Sequence, residues 1–331
     1  MSSLKVSPFN NLLINLLIFI TNLLSLIDFK IRTLFILFNI TLSAYLLFFY
    51  AKPALDEYYR SPIIINNENF DTKTAFNKTE VVETTPATIP ARKIYSLNNP
   101  QLVKAKSFIV YDVLSSKEVY SLNKDLQLPP ASLVKMLSTM LFIDKINLKE
   151  RYTVSSECMF VDGQKIGFKN QEKVSGKDLI YSSLVYSAGD SICNLYKATK
   201  SSIPELNDFA KTLGMKNSYF TNFIGLDFNG NYTTAEDILI LSKKFIENSV
   251  LNEIVATKSY TLENKKFILN TNKMLFEEKR TVGIKTGTTE GANQNLVYRI
   301  KDKEKDEDFI IVILNSSDRY SDIKNILKNL N

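Results

Sequence analysis

A serine and a lysine three residues apart form the first candidate for chemistry in this chain. In the segment PPASLVKML, Ser132 follows two prolines at the start of an apolar helical run, and Lys135 comes one turn later. Residues i and i+3 share one face of a helix. A serine hydroxyl becomes an effective nucleophile when a neighbouring base takes its proton, and a lysine can do so if its surroundings keep it neutral. The spacing therefore predicts a serine nucleophile with a lysine base.

The chain contains no histidine, and this excludes several mechanisms. A Ser-His-Asp or Cys-His arrangement cannot be built, and neither can a histidine-ligated metal site. The two cysteines, Cys158 and Cys193, are too few for a four-thiolate zinc site. We interpret them as small buried side chains, with a single disulfide as the alternative in an oxidising compartment. We expect neither a metal nor a cofactor.

Two further segments carry polar groups that could serve such a serine. LVYSAGDS contains Ser187. VGIKTGTTEGA, on a predicted strand, contains Lys285, Thr286, Gly287 and Thr288. A lysine and hydroxyls beside a glycine suit the capture of a carboxylate, because glycine lets a ligand approach the backbone closely. Ser-x-x-Lys begins at residues 2, 121, 132 and 321, whereas Lys-Thr-Gly occurs once, so the order of the motifs selects the copy at Ser132.

The order Ser-x-x-Lys, Ser-x-x, Lys-Thr-Gly resembles the motif set of penicillin-binding proteins and serine β-lactamases. The chain is most similar to the low-molecular-mass D-alanyl-D-alanine carboxypeptidases, a serine peptidase family, from about residue 107 to the C-terminal helix. FAKTLGMKNSYFTNFIGLD, YTTAEDILIL and LNSSDRYSDIKNIL extend this resemblance. It implies that the protein removes the terminal D-alanine from peptidoglycan stem peptides ending in D-alanyl-D-alanine, and that β-lactam antibiotics inhibit it.

The resemblance also implies a role for each catalytic residue. Ser132 would attack the carbonyl between the two D-alanines, and Lys135 would accept its proton. Ser187 would pass a proton to the departing D-alanine. The positive charge of Lys285 would help to keep Lys135 neutral.

The third motif is expected to bind the substrate. Lys285 and Thr286 would hold the terminal carboxylate. Gly287 separates them from the hydroxyl of Thr288. The backbone N–H groups of Thr288 and Ser132 would bind the oxyanion.

The second motif departs from the family pattern, which usually reads Ser-x-Asn. Gly189 occupies the asparagine position. The asparagine amide normally hydrogen-bonds the substrate backbone, and glycine has no such group. We therefore expect slow acylation, and we expect Gly189→Asn to raise kcat/KM unless Asp190, Ser191 or another side chain already supplies the contact.

Three alternative functions remain open at this point. A D,D-endopeptidase acting on crosslinks would use the same residues. A catalytically weak module would hold wall peptides or penicillins in the same pocket, and Gly189 favours it. A class A β-lactamase needs a Glu-x-x-Leu-Asn loop, but the nearest string, ENSVLN at 247–252, has one residue too many.

The elements that must position these residues predict an α+β fold. Strands are indicated over 107–112, 118–122, 283–288, 295–300 and 309–314. Helical apolar spacing covers 132–147, 176–199, 204–213 and 234–248, with a terminal helix from about residue 320. Strands at both ends with helices between them indicate an antiparallel sheet flanked by helices. The resemblance implies that this is the serine β-lactamase/penicillin-binding (transpeptidase-like) fold.

The N-terminal part has a different composition and predicts a membrane anchor over 1–52. Segments 9–27 and 33–51 are each nineteen residues without a formal charge, long enough for one or two transmembrane helices. Lys30 and Arg32 between them favour a cytoplasmic loop, which would put later residues on the extracytoplasmic side. The Asn-, Thr- and Pro-rich stretch 53–100 indicates a flexible linker, and 101–331 the catalytic domain.

The charge distribution suggests what the protein does not bind. The formal net charge of +6 comes from 41 basic and 35 acidic residues, and the basic residues are scattered rather than grouped in runs. This pattern argues against a nucleic-acid site. The expected partners are stem peptides, β-lactams and, through the N-terminal helices, the membrane.

Overall fold

The computed structural model describes residues 93–228 and 230–331, which form a sheet with helices on both sides. The strands are β1 (Ser107–Asp112), β2 (Lys117–Leu122), β3 (Arg151–Thr153), β4 (Lys173–Ser175), β5 (Ser259–Thr261), β6 (Phe267–Leu269), β7 (Thr281–Thr289), β8 (Asn293–Asp302) and β9 (Glu307–Ser316). Five of them make the main antiparallel sheet in the order β2-β1-β9-β8-β7, while β3-β4 and β5-β6 are separate pairs. Both ends of the described chain therefore contribute to one sheet, as the sequence predicts.

The helices lie mainly between β2 and β7 along the chain. They are α1 (Val134–Ile143), α2 (Gly176–Leu184), α3 (Gly189–Thr199), α4 (Ile203–Leu213), α5 (Ala235–Glu247), α6 (Ser249–Ala256), α7 (Met274–Glu277) and α8 (Arg319–Asn329). Their ends follow ordinary capping chemistry. Ser202, for example, caps α4 in a reciprocal arrangement with Glu205, and Gly214 ends that helix with φ +96°.

Both faces of strand β9 are covered by other parts of the fold. Side chains alternate between the two faces of a strand. Ile310, Val312 and Leu314 belong to the large apolar core under the helices α1–α6. The intervening residues Phe309, Ile311 and Ile313 pack on the opposite side, in a second core that includes Ile323 and Ile326 of α8. The run FIIVIL is therefore apolar throughout because neither face meets water.

Most predicted elements are confirmed, but the single helical stretch predicted over 176–199 is wrong. The structure has two helices there, α2 and α3, with a break between them. Ser187 lies in the break with φ +63°, a left-handed conformation that an α-helix cannot contain. The apolar spacing continues across the break because both helices bury a face in the same core.

Packing begins before residue 101, inside the segment predicted to be a linker. Leu97 forms a β-bridge with Leu330, and the backbone N–H of Ser96 donates to the carbonyl of Asn331 at 2.9 Å. Across 93–228 and 230–331, no helix has the length and apolarity that a membrane crossing requires. The helices predicted over 9–27 and 33–51 lie outside these residues and stay predictions.

The two cysteines form a disulfide, which was the alternative interpretation of the sequence. Cys158 lies in a short 3₁₀ helix, Ser156–Phe160, and Cys193 lies in α3. Their Cα atoms are 5.4 Å apart, a normal separation for a disulfide. The bond fastens the start of the 156–167 segment to the helix that begins at Gly189.

Candidate active site

A cleft of about 540 Å³ brings the predicted site residues together. Its walls include Ser132, Lys135, Ser187, Gly189, Thr286, Gly287 and Thr288, which come from α1 and the turn before it, from the α2–α3 break and the start of α3, and from β7. Lys285 does not line the cleft. It belongs to β7, is 1% exposed, and its Nζ donates to the carbonyl oxygen of Thr286 at 3.1 Å.

Ser132 is presented by a tight turn at the start of α1. Ala131, Ser132 and Leu133 form one 3₁₀ turn, and Ala131 has φ +48°. The approach to this turn is held by β8, because the side-chain amide of Asn295 donates to the carbonyls of Pro129 at 2.9 Å and Pro130 at 3.1 Å. The chain therefore enters α1 in a fixed orientation, with Ser132 facing the cleft.

Lys135 is the most constrained ionisable group of the site. It is 2% exposed, and its Nζ lies 2.7 Å from Ser132 Oγ and 2.7 Å from the carbonyl oxygen of Ile224. Burial lowers the pKa of Lys135 to about 7, although the negative charge of Asp190 acts in the opposite direction. Near neutral pH a large fraction of Lys135 is therefore unprotonated and can accept the proton of Ser132.

The role expected for Lys285 in setting that pKa stays a prediction. Burial is the main cause of the lowered pKa of Lys135, and the positive charges of the two lysines repel each other. The pKa of Lys285 is itself held well below its usual value, first by burial and then by the positive charges of Lys135 and Arg319. An anion bound in the cleft would favour the protonated form of Lys285.

The carbonyl that meets Lys135 is fixed by a compact loop at 222–226. Asn222 Oδ1 accepts hydrogen bonds from the backbone N–H groups of Ile224 at 3.1 Å, Gly225 at 2.7 Å and Leu226 at 3.0 Å. Gly225 has φ +93°, and a Cβ on it would lie 1.9 Å from the carbonyl oxygen of Ala131. A glycine is therefore required both by the turn and by the approach of this loop to the backbone of Ala131 and Ser132.

The β7 wall is also close to Ser132. A Cβ on Gly287 would lie 3.1 Å from the backbone nitrogen of Ser132 and 3.0 Å from the Cβ of Ala131. The small residue lets the strand backbone approach the serine, as an oxyanion site between the two segments requires. Next to it, the hydroxyls of Thr286 and Thr271 are 2.6 Å apart.

Arg319, at the start of α8, is a site residue to which the sequence assigned no role. Its Nη1 donates to the carbonyls of Gly287 at 2.9 Å and Asn295 at 2.7 Å, and its Nη2 donates to Thr288 Oγ1. The guanidinium thus orients Thr288 and joins β7 to β8. The segment LNSSDRYSDIKNIL carries the family resemblance, but no local spacing links this arginine to residues 287 and 288.

The second motif has an unusual arrangement around Gly189. The side chains proposed from the sequence to replace the missing amide are both occupied. Asp190 accepts from the backbone N–H groups of Ile166 at 3.1 Å and Gly167 at 2.8 Å. The hydroxyl of Ser191 is buried and lies 2.7 Å from Ser182 Oγ. Neither of them faces the cleft.

Comparison with known proteins agrees with this geometry. The family model described as D-alanyl-D-alanine carboxypeptidase matches residues 95–318. The D-alanyl-D-alanine carboxypeptidase DacC of Escherichia coli is 33% identical over 211 residues, which is 59% of this chain and 53% of that protein. The D-alanyl-D-alanine endopeptidase of Escherichia coli is 31% identical over 218 residues, covering 61% and 68%. The chain spans about half the length of DacC and of the D-alanyl-D-alanine carboxypeptidase DacF of Bacillus subtilis.

The fold is also found among solved structures. Penicillin binding protein 5 from Haemophilus influenzae superimposes with a TM-score of 0.63 at 26% identity, covering 68% of this chain and 69% of that one. The expected penicillin-binding α+β fold is therefore confirmed for the described residues.

Replacing Gly225 by alanine tests whether the close approach of the 222–226 loop is essential. Alanine at positive φ costs about 1–2 kcal/mol, and the clash with Ala131 adds about 1–3 kcal/mol. Gly214→Ala is the matched control, because Gly214 has φ +96° but its nearest neighbour is 3.9 Å from a Cβ. Urea unfolding should show a clearly larger loss for Gly225→Ala. Equal losses would mean that the loop can move away without cost.

Proposed function

Since the chain belongs to the family of D-alanyl-D-alanine carboxypeptidases, we propose that it is a serine peptidase. It removes the terminal D-alanine from peptidoglycan stem peptides that end in D-alanyl-D-alanine. The observation that carries this proposal is the buried Lys135, whose Nζ is 2.7 Å from Ser132 Oγ and whose pKa is about 7. A nucleophile and a base within hydrogen-bonding distance are what acyl transfer needs.

In the acylation step, Lys135 takes the proton of Ser132 as Oγ attacks the carbonyl carbon between the two D-alanines. The negative oxygen of the tetrahedral intermediate lies between the backbone N–H groups of Ser132 and Thr288. Ser187, on the opposite wall, passes a proton to the amine of the departing D-alanine. Water then hydrolyses the ester on Ser132 and releases the shortened peptide.

The third motif binds the terminal carboxylate. Thr286 and Thr288 line the cleft and offer hydroxyl donors, while Lys285 behind them supplies positive charge. Binding of the carboxylate raises the pKa of Lys285 and favours its protonated form. The positive charge on protonated Lys285 then disfavours a proton on Lys135, so Lys135 stays neutral and can act as the base. Substrate binding and the activation of Ser132 are therefore linked through two lysines.

A second candidate is a D,D-endopeptidase that cuts crosslinks between stem peptides. The 31% identity with a protein named D-alanyl-D-alanine endopeptidase favours it. The chemistry at Ser132 would be the same, and only the leaving amine would differ. Chromatography of a crosslinked dimer and of a pentapeptide after incubation distinguishes the two activities.

Location outside the cytoplasmic membrane is part of the same proposal, because stem peptides are assembled into the wall there. Lys30 and Arg32, between the two apolar segments, favour this topology. The disulfide between Cys158 and Cys193 is also typical of proteins in an oxidising compartment. Segments 9–27 and 33–51 then serve as the anchor.

Labelling with a fluorescent penicillin tests the nucleophile, because the β-lactam carbonyl mimics the scissile amide. We expect covalent label on Ser132 and none on Ser132→Ala. Lys135→Met should slow labelling by about 10²–10⁴-fold, the usual effect of losing a general base. Ser321→Ala and Lys324→Met are matched controls, since they form another Ser-x-x-Lys pair on a helix outside the cleft. Unchanged labelling of Ser132→Ala would disprove the assignment.

The pH dependence of labelling tests the base. Lys135 is active when unprotonated, so the second-order rate constant should rise with pH through about 7, the pKa of this lysine. The rate falls below that pH because the proton occupies the nitrogen that must accept the one from Ser132. Lys135→Met should remove this rise. A wild-type rate that stays flat between pH 5 and 8 would contradict the role of Lys135.

Protease accessibility tests the proposed location. Protease added to intact spheroplasts should remove the folded domain while a cytoplasmic marker protein survives. Digestion that occurs only after lysis would place the domain inside the cell, where it would have no wall substrate.

A further inference from the structure

The place of the family's asparagine is filled by a loop rather than left open. A Cβ on Gly189 would lie 3.3 Å from Ile224 Cγ2 and 3.4 Å from the carbonyl oxygen of Asp162. A larger side chain would therefore have to displace the loop that contains Asp162 or the one that contains Ile224. The gain expected from Gly189→Asn consequently requires the Ile224 side chain or the loop at Asp162 to shift.

The loop over Gly189 is firmly attached to the start of α3. The backbone N–H of Gly189 donates to the carbonyl of Gln164 at 2.7 Å. The carboxylate of Asp190 accepts hydrogen bonds from the backbone N–H groups of Ile166 and Gly167 in the same loop. Lys266 Nζ donates to the carbonyl of Ile166 from the other side. Three hydrogen bonds made by Gly189 and Asp190 of the second motif thus fix residues 164–167 relative to that motif.

Gln164 carries a primary amide at this position. Its side chain is exposed and lines the cleft together with Ser132, Lys135 and Ser187. Its amide makes no hydrogen bond within the described residues. Glutamine has the same donor and acceptor groups as asparagine on a chain that is one methylene longer. The backbone carbonyl of Gln164 accepts a hydrogen bond from the N–H of Gly189. The longer side chain can therefore reach the space that an asparagine amide would serve.

We propose that the side-chain amide of Gln164 binds the backbone of the substrate on the N-terminal side of the scissile bond, in place of the asparagine that Gly189 replaces. This inference rests on the proposed peptidase function. The amide N–H₂ donates to a substrate carbonyl, and the amide oxygen accepts from a substrate N–H. Gln164 then orients the peptide for attack by Ser132 and takes no part in proton transfer.

The test uses the full chain in detergent and the variant Gln164→Met, which keeps the length of the side chain and removes the amide. The probes are benzylpenicillin, which has an acylamino group, and 6-aminopenicillanic acid, which has a free amine instead. We expect acylation of Ser132 by benzylpenicillin to slow by about ten- to a hundredfold, the effect of losing one or two hydrogen bonds. Acylation by 6-aminopenicillanic acid should change less than about threefold, because it lacks the amide that Gln164 binds.

Two further variants distinguish a direct contact between the amide and the ligand from an effect on the structure of the loop. Gln171→Met makes the same change on the same loop outside the cleft and should acylate at the wild-type rate. Gln164→Asn keeps the amide and should recover part of the benzylpenicillin rate. Thermal unfolding should be the same for all three variants, because both glutamines are exposed.

The outcomes discriminate between this inference and the proposed function. Equal slowing with both β-lactams, or no recovery by Gln164→Asn, would mean that Gln164 supports the loop and does not bind substrate. An unchanged rate for Gln164→Met would also overturn the assignment. If the wild-type chain is not acylated on Ser132 by either compound, the proposed peptidase function fails instead.

Discussion

The burial of one lysine next to a serine is the constraint on which the rest of the site depends. An ammonium group removed from water is strongly disfavoured, so a buried lysine either finds a counter-charge or loses its proton. Lys135 is buried at the wall of the cleft, and its pKa is about 7. Its nitrogen is held by two acceptors, Ser132 Oγ and the carbonyl of Ile224. The fold therefore keeps a basic amine at the N-terminal end of α1, at a buried position where an apolar side chain would otherwise be expected.

Several local features follow from this requirement. The carbonyl of Ile224 can meet Lys135 only because Asn222 closes the loop and because Gly225 has no side chain. The same loop contacts the backbone of Ala131, next to the nucleophile. The stability of the loop and the geometry of the base are consequently not independent.

Positive charge is the second constraint. Lys135, Lys285 and Arg319 are all buried around one cleft, with Asp190 as the carboxylate that acts on Lys135. Burial, and then the repulsion by Lys135 and Arg319, lowers the pKa of Lys285, and a bound anion would offset this effect. A substrate that carries a carboxylate compensates this charge, whereas a neutral ligand of the same shape does not.

The sequence was sufficient to find the residues that belong to compact motifs. Ser132 and Lys135 share a helical face, and Lys285 to Thr288 form one strand, so local periodicity placed them correctly. The antiparallel sheet that combines strands from both ends of the domain also followed from the positions of the apolar runs. The break at Ser187 was missed because the apolar spacing of 176–199 continues across it, although Gly189 lies only two residues further on.

Contacts between distant segments could not be read in the same way. Arg319 reaches Gly287 and Thr288 only because α8 packs on the sheet. Gln164 comes to the cleft because Asp190 and Gly189 bind its loop. The pairing of Cys158 with Cys193 likewise depends on a tertiary separation that the spacing of the two residues does not determine. In each case the information lies in packing between elements and not in any local pattern.

The most direct test of the central claim is release of D-alanine by the full chain in detergent. A peptide ending in D-alanyl-D-alanine is incubated with the wild-type protein and with Ser132→Ala, and free D-alanine is measured. We expect repeated turnover by the wild type and none by Ser132→Ala. Formation of a stable penicillin adduct without any release of D-alanine would contradict it, and would show that the buried Lys135 and Ser132 form a binding module instead of a peptidase.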